Sequence, residues 1–337
     1  MKTESEFRTF YRETLRPLQK EMEKLRRKTH FKNFLVTIVY LLALLLLFIV
    51  AFIINHLIYG EWLTESKANV PLIIATIALI SSFFYYKGKL RGNRRHFVLT
   101  YKTHIVDKIV KFIQESLTYK PDRQISQEDF VASRLFSHTP DCYFGDDYVS
   151  GMIGQTKVAF SEVHAKYKIE TTNDDGNSSE QWISIFDGLL FKADFNKNFE
   201  GTHFVLPDRA EKLFGRQGFF FQGTAKRLGE RVHLEDIEFE KQFVVYGSDQ
   251  VEARYILSAS LMKRLTDFKR QTQKKIRISF VRSFIYIAIP YKRELWEPKY
   301  RSSAVSEKSC MEFFTDLSLV IGIVEELGLN TRIWNKA

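Results

Sequence analysis

Residues 34–54 (FLVTIVYLLALLLLFIVAFII) run for 21 positions without a charged side chain, and no other stretch constrains the chain as much. As a helix rising about 1.5 Å per residue, the run spans roughly the 30 Å hydrocarbon core of a bilayer. A buried core helix is the competing reading, but cores seldom need so long an uncharged stretch. A cleaved secretory signal fits poorly, because the run begins after 33 residues and lacks a small-residue cleavage site. Residues 70–86 (VPLIIATIALISSFFYY) form a second apolar run of 17, with Pro71 in the first turn, where a missing N–H costs little. Together they predict a transmembrane helical hairpin.

The flanking charges predict its orientation. Arg26, Arg27, Lys28 and Lys32 precede the first run, and Lys87, Lys89, Arg91, Arg94 and Arg95 follow the second. The intervening segment 55–69 carries Lys67 against Glu61 and Glu65, so the positive-inside rule places both termini in the cytoplasm. Of the formal net charge of +10, none remains beyond residue 106, where cations and anions each number 33. The basic excess therefore lies beside the expected membrane, where anionic lipid attracts it, and argues against nucleic acid as a partner. Cys142 and Cys310 have no spacing partner and fall on the side expected to be reducing, so no disulfide is predicted.

Four regions are expected: a cytoplasmic amphipathic segment (1–33), a two-helix transmembrane module (34–86), a helical connector (87–140) and a cytoplasmic α+β domain (141–337). In the first, Phe7, Tyr11, Leu15, Leu18, Met22 and Leu25 recur at helical spacing, to pack on protein or to lie among headgroups, with Pro17 predicted to kink or split the helix. Phe97 to Leu117 repeats the helical pattern. Ser126 and Asp129 then have capping-box form ahead of a short helix.

From about Asp141 the period changes to that of strands. Val149–Phe160, Glu162–Thr172, Gln181–Phe195, His203–Leu206, Arg231–Leu234 and Phe239–Tyr246 are rich in aromatic and β-branched residues, and the polar run 173–179 reads as a hairpin tip. Helices are predicted at Ser248–Ile256 and Ser258–Lys275, the first N-capped by Ser248, then a hairpin Ile276–Phe280 with Phe284–Pro290 and a helix Glu307–Leu327 ending at Gly328. That order favours an α+β domain with a largely antiparallel sheet and packed helices over a parallel one.

Residues 232–257 (VHLEDIEFEKQFVVYGSDQVEARYIL), with Asp146–Gly151 (DDYVSG), Phe186–Phe191 (FDGLLF) and the strand pair near Ile278 to Ile289, resemble a bacterial membrane-protein family, the domain-of-unknown-function family numbered thirty-one thirty-seven. The resemblance spans roughly residues 90–330, and the two preceding apolar runs match the layout of that family. It implies an inner-membrane protein and suggests a LemA-like partner, and it brings no catalytic residue with it.

The residues themselves offer little chemistry. Neither apolar run contains Asp, Glu, Lys, Arg or His, which disfavours transport by this chain alone. The common phosphate-binding, hydrolase and zinc motifs are absent, so no catalytic, cofactor or metal residue is assigned. His138, Asp141 and Cys142 read as a turn, as do Asp146 and Asp147, although the acids between Asp141 and Asp147 are the best placed should the domain be an enzyme. Residues 257–301 hold twelve cations and three anions, and Lys263, Arg270 and Lys274 share a helix face suited to anionic lipid or an acidic partner. The expected role is a membrane-anchored cytoplasmic binding or scaffold module at the bacterial inner membrane, with a partner of unspecified identity or a second copy of the chain. Alternatives are an enzyme acting on a membrane-proximal substrate and a lipid- or small-ligand-binding sensor.

Overall fold

A computed structural model describes residues 2–59, 69–172, 178–195, 197–207 and 228–329. The chain divides into two compact units, one of Arg8–Ile105 with Pro298–Ser309, the other of Met1–Phe7 with Val106–Glu297 and Cys310–Ala337.

In the first unit, α1 (Glu4–Phe10) passes through a π-helical turn, Tyr11–Leu15, into α2 (Arg16–Tyr59). Pro17 does not split the helix. It takes the second position of α2, directly after the wide turn, one of the recognised ways a helix absorbs an irregularity. The predicted stripe packs on protein: Tyr11, Leu15 and Met22 are buried. The polar residues Gln19, Glu23 and Thr29 are buried with them. Gln19 Oε1 accepts from the Tyr11 hydroxyl at 3.0 Å and the Ser306 amide at 3.2 Å, while its Nε2 donates to the Tyr101 hydroxyl at 3.0 Å.

The second long helix, α3 (Asn69–Tyr101), leads through a π turn at Lys102–Val106 into α4 (Asp107–Ile113). Asn93 donates to Asn33 Oδ1 at 2.6 Å, Thr37 Oγ1 and the Tyr86 hydroxyl lie 3.0 Å apart, and the Tyr40 and Tyr86 rings stack at 4.5 Å. Positions rising along α2 thus meet positions falling along α3, so the helices run antiparallel. Phe34, Leu41, Leu45, Phe48, Ile77 and Phe84 remain exposed. Within Glu4–Ile54 the helix is long and apolar enough to cross a membrane.

In the second unit the described residues build a nine-stranded antiparallel sheet ordered β1-β2-β3-β4-β9-β8-β5-β7-β6. Its strands are β1 (Leu117–Lys120), β2 (Cys142–Ile153), β3 (Thr156–Thr172), β4 (Ser178–Asp194), β5 (Thr202–Pro207), β6 (Glu230–Val232), β7 (Phe243–Gly247), β8 (Arg277–Val281) and β9 (Phe284–Pro290). The helices are α5 (Gln127–Ala132), α6 (Ile237–Glu240), α7 (Gln250–Ile256), α8 (Ala259–Thr272) and α9 (Glu307–Glu326). The α+β class expected from the sequence is observed. Phe130, Phe186, Leu190, Phe204 and Tyr286 join one buried cluster against the sheet.

Several boundaries move. The expected strand Val149–Phe160 straddles a turn at Gly154 (φ 58°), where β2 gives way to β3. Leu117 opens a strand instead of closing a helix. Expected within a strand from Phe239, the chain instead makes the helical turn α6, because Asp236 Oδ1 accepts from the Phe239 amide and stabilises a helix start. Asp249, not Ser248, caps α7, accepting from the Val251 and Glu252 amides at 2.7 and 2.8 Å, while Ser248 Oγ accepts from the Thr202 amide. Ser126 caps α5 as expected, but Asp129 turns away to pair with Lys192 at 2.6 Å. The β8–β9 hairpin turns through Arg282 and Ser283, both at positive φ, which matches the strand twist. Most of the expected tip at 173–179 lies outside the described residues.

Candidate functional site

Strands β2, β3 and β4 bring five titratable side chains to one place. Glu162 and His164 are two apart on β3 and so share a face. Asp146 of β2 lies opposite Glu162, and Asp187 of β4 lies opposite His164. A bulge between Asp146 and Val149, with Asp147 at φ 58°, redirects the β2 side chains, as bulges commonly do. The segment after β9 completes the cluster, since the Leu295 amide donates to Glu162 Oε2 at 2.7 Å and Glu294 Oε2 lies 3.9 Å from His164 Nε2.

Glu162 is 1% exposed. Burial pushes its carboxyl up to about 8, helped by Asp146, Glu294 and Asp147 and opposed by the Leu295 amide. His164 is held at Nδ1 by Asp187 Oδ1, 2.9 Å away, and its Nε2 faces Glu162 Oε1 at 3.6 Å. Burial raises Asp187, but hydrogen bonds from Ser184 and His164 outweigh it and leave the carboxyl below its usual value. The Phe144 ring stacks on His164 at 4.9 Å. Beside them the Tyr119 hydroxyl donates to Asp147 Oδ1, and burial together with that carboxylate raises the phenol well above its ordinary value.

A second buried pair is structural. His203, fully buried, contacts Glu252 Oε2 through Nε2 at 2.7 Å, and the same carboxylate accepts from the Glu200 and Gly201 amides at 2.9 and 2.8 Å. These bonds tie α7 to the start of β5. Arg254 reaches Gln250 and the His233 carbonyl instead of Glu252.

Comparison with known proteins finds a family model that matches part of the chain. Residues 184–329 match the family described as Protein of unknown function (DUF3137). Over these residues the match bears out the resemblance seen in the sequence, while Asp146–Gly151 and the two apolar runs lie outside it. It begins within β4, so Asp187 and Glu294 lie inside it while Glu162 and His164 precede it. No curated protein matches the chain. Among solved structures, the mycobacterial trehalose monomycolate transport factor A, TtfA, aligns at 12% identity and a TM-score of 0.30, over 64% of this chain and 95% of that one, a score too low to carry an argument.

The basic residues singled out from the sequence lie partly within the DUF3137 match. Arg270 and Lys274 line a groove of about 480 Å³ with Lys241, Lys269 and Lys275, while Lys263 stands exposed outside that lining. Arg270 pairs with Glu238 at 2.9 Å, and Lys274 Nζ sits 3.8 Å above the Tyr291 ring, where burial lowers its pKa. Of the cations flanking the apolar runs, Arg27, Lys28, Lys32, Lys87, Lys89, Arg91, Arg94 and Arg95 are exposed. Arg26 is half-buried and holds Glu23 through two bonds of 2.7 and 2.8 Å. Cys142 opens β2, Cys310 is buried in α9, and His138 stacks on Tyr167 at 4.1 Å.

Proposed function

We propose that this chain is a bacterial inner-membrane protein in which α2 and α3 cross the bilayer, both termini are cytoplasmic, and the sheet-bearing unit serves as a binding or scaffold module. The observation that carries this reading is the uncovered apolar surface of the paired helices. Leu41, Leu45 and Phe48 on α2 and Ile77 and Phe84 on α3 are all exposed, and a surface of that length is stable only in hydrocarbon or against other protein. The exposed cations that precede the first apolar run and follow the second lie at one end of the antiparallel pair and support the orientation. Arg270, Lys274 and their lysine neighbours form a groove that suits anionic headgroups or an acidic protein segment, and a LemA-like protein is one such partner to test.

The test has two parts. After alkaline extraction the chain should stay with the membrane pellet, and a reporter fused after Ala337 should be active only in the cytoplasm. Photo-crosslinkers at Lys241 and Lys275 should then capture a discrete protein or lipid adduct that an Arg270→Glu, Lys274→Glu double variant loses. Release into the supernatant, or an active periplasmic reporter, would overturn the anchoring. An enzyme acting on a membrane-proximal substrate is the second reading, and Glu162 favours it, since a carboxyl raised to about 8 can exchange a proton near neutral pH.

A further inference from the structure

The cluster on β3 has the donor set of a metal centre. Glu162, His164 and Glu294 each offer one ligand atom, and these atoms lie within 4.8 Å of one another. His164 Nε2 is 3.6 Å from Glu162 Oε1 and 3.9 Å from Glu294 Oε2. A direct ion pair would close to about 2.8 Å, whereas ligands bound tetrahedrally at about 2.0–2.1 Å stand roughly 3.3–3.5 Å apart. The observed separations are closer to the second figure.

Two further features point to a bound cation. Asp187 accepts from His164 Nδ1, and Ser184 in turn donates to Asp187 Oδ2, so the ring is fixed with Nε2 turned towards the two carboxylates. A carboxylate behind the far nitrogen of a histidine is the usual support for a metal-binding imidazole. In addition, Glu162 is 1% exposed and its Oε1 faces that nitrogen at 3.6 Å, while its Oε2 is held by the Leu295 amide.

We propose that Glu162, His164 and Glu294 bind a first-row divalent transition ion, Zn²⁺ or Mn²⁺, at the junction of β3 with the segment following β9. Mixed nitrogen and oxygen donors select such ions over Mg²⁺ and Ca²⁺, which take oxygen alone. Asp146 and Asp147, within 4.8 Å of Glu162 in their own grouping, add negative charge beside the ion. Glu294, with 65% of its side chain exposed, forms the solvent side, where three protein ligands leave room for water. This inference is independent of the membrane reading, because it rests only on contacts within the sheet-bearing unit.

The full chain, purified in detergent without a polyhistidine tag and stripped with chelator, should bind one equivalent of Zn²⁺ or Mn²⁺ by calorimetric titration, and the ion should raise its thermal midpoint. His164→Ala and Glu294→Gln should each weaken binding at least about tenfold, and Asp187→Asn roughly 10- to 100-fold. Glu294 is exposed, so its variant keeps the fold, as near-ultraviolet circular dichroism will check. No saturable binding, equal affinity in wild type and Glu294→Gln, or preferential saturation by Mg²⁺ or Ca²⁺ would overturn the proposal.

Discussion

Gly145 determines how closely β2 can approach β3. A Cβ there would stand 2.1 Å from the Glu162 carbonyl oxygen and 3.0 Å from Val163 Cα, both backbone atoms that cannot swing aside. Gly145→Ala should therefore destabilise the protein by ~1–3 kcal/mol, measured by denaturant unfolding in detergent. Glu23 has the opposite character, a buried charge that is fully partnered. Its bonds from Arg26, with the Ala304 amide and Arg27 assisting, hold the carboxyl at about 2, down from an ordinary 4.5. A depressed folded-state pKa means that the stabilisation is complete above about 4.5 and fades as pH falls through about 2. Glu23→Gln should accordingly cost ~1.5–3 kcal/mol at pH 7 and much less near pH 2, as followed by thermal melts at both values. Neither Glu23 nor Gln19 was legible as a buried residue, because the amides of Ala304 and Ser306 that help to cover them come from chain some 280 residues away.

At the scale of elements, the apolar helix is the most strongly specified and also the easiest to disrupt. A single Leu45→Lys substitution at its centre should cost ~2.5–3.5 kcal/mol of insertion and lower the fraction retained in membranes after alkaline extraction. Long periodic elements were readable: the β8–β9 hairpin and α9 lie within a few residues of their expected limits, whereas the amphipathic segment and the first apolar run, expected apart, share the single helix α2. Errors arose where a side chain hydrogen-bonds its own backbone. Asp236 made a helical turn out of an alternating pattern, and Asp249 displaced Ser248 as a cap, because alternation and composition do not reveal which of two neighbouring polar groups reaches the free amides. The metal-type cluster was half visible. The acids at Asp146 and Asp147 stood out in the sequence, whereas Glu162, His164 and Glu294 are brought together by strand register and by a segment 130 residues further on, which no local spacing encodes.

At the scale of the whole molecule, charge placement should govern how the chain threads. The excess of +10 is concentrated beside the apolar runs, with Arg91, Arg94 and Arg95 in the C-terminal part of α3. Replacing these three arginines with glutamine should produce a mixed population in which part of the C-terminal reporter faces outward, scored by paired cytoplasmic and periplasmic fusions. An unchanged single orientation would mean that these three arginines are not needed to fix it.

The two π turns have a consequence for how such helices are written in sequence. Phe7, Tyr11, Leu15 and Gln19 follow one another at steps of four, as do Phe97, Tyr101, Ile105 and Ile109, and all eight are buried. On a regular α-helix each such step overshoots a full circle by about 40°, so three in succession would carry the last residue a third of the way round the cylinder. The slower winding of a π turn, at Tyr11–Leu15 and at Lys102–Val106, works against that drift. An unbroken rhythm of fours is thus the written form of a wide turn, and excising one residue from either would swing everything on its far side by about 100°.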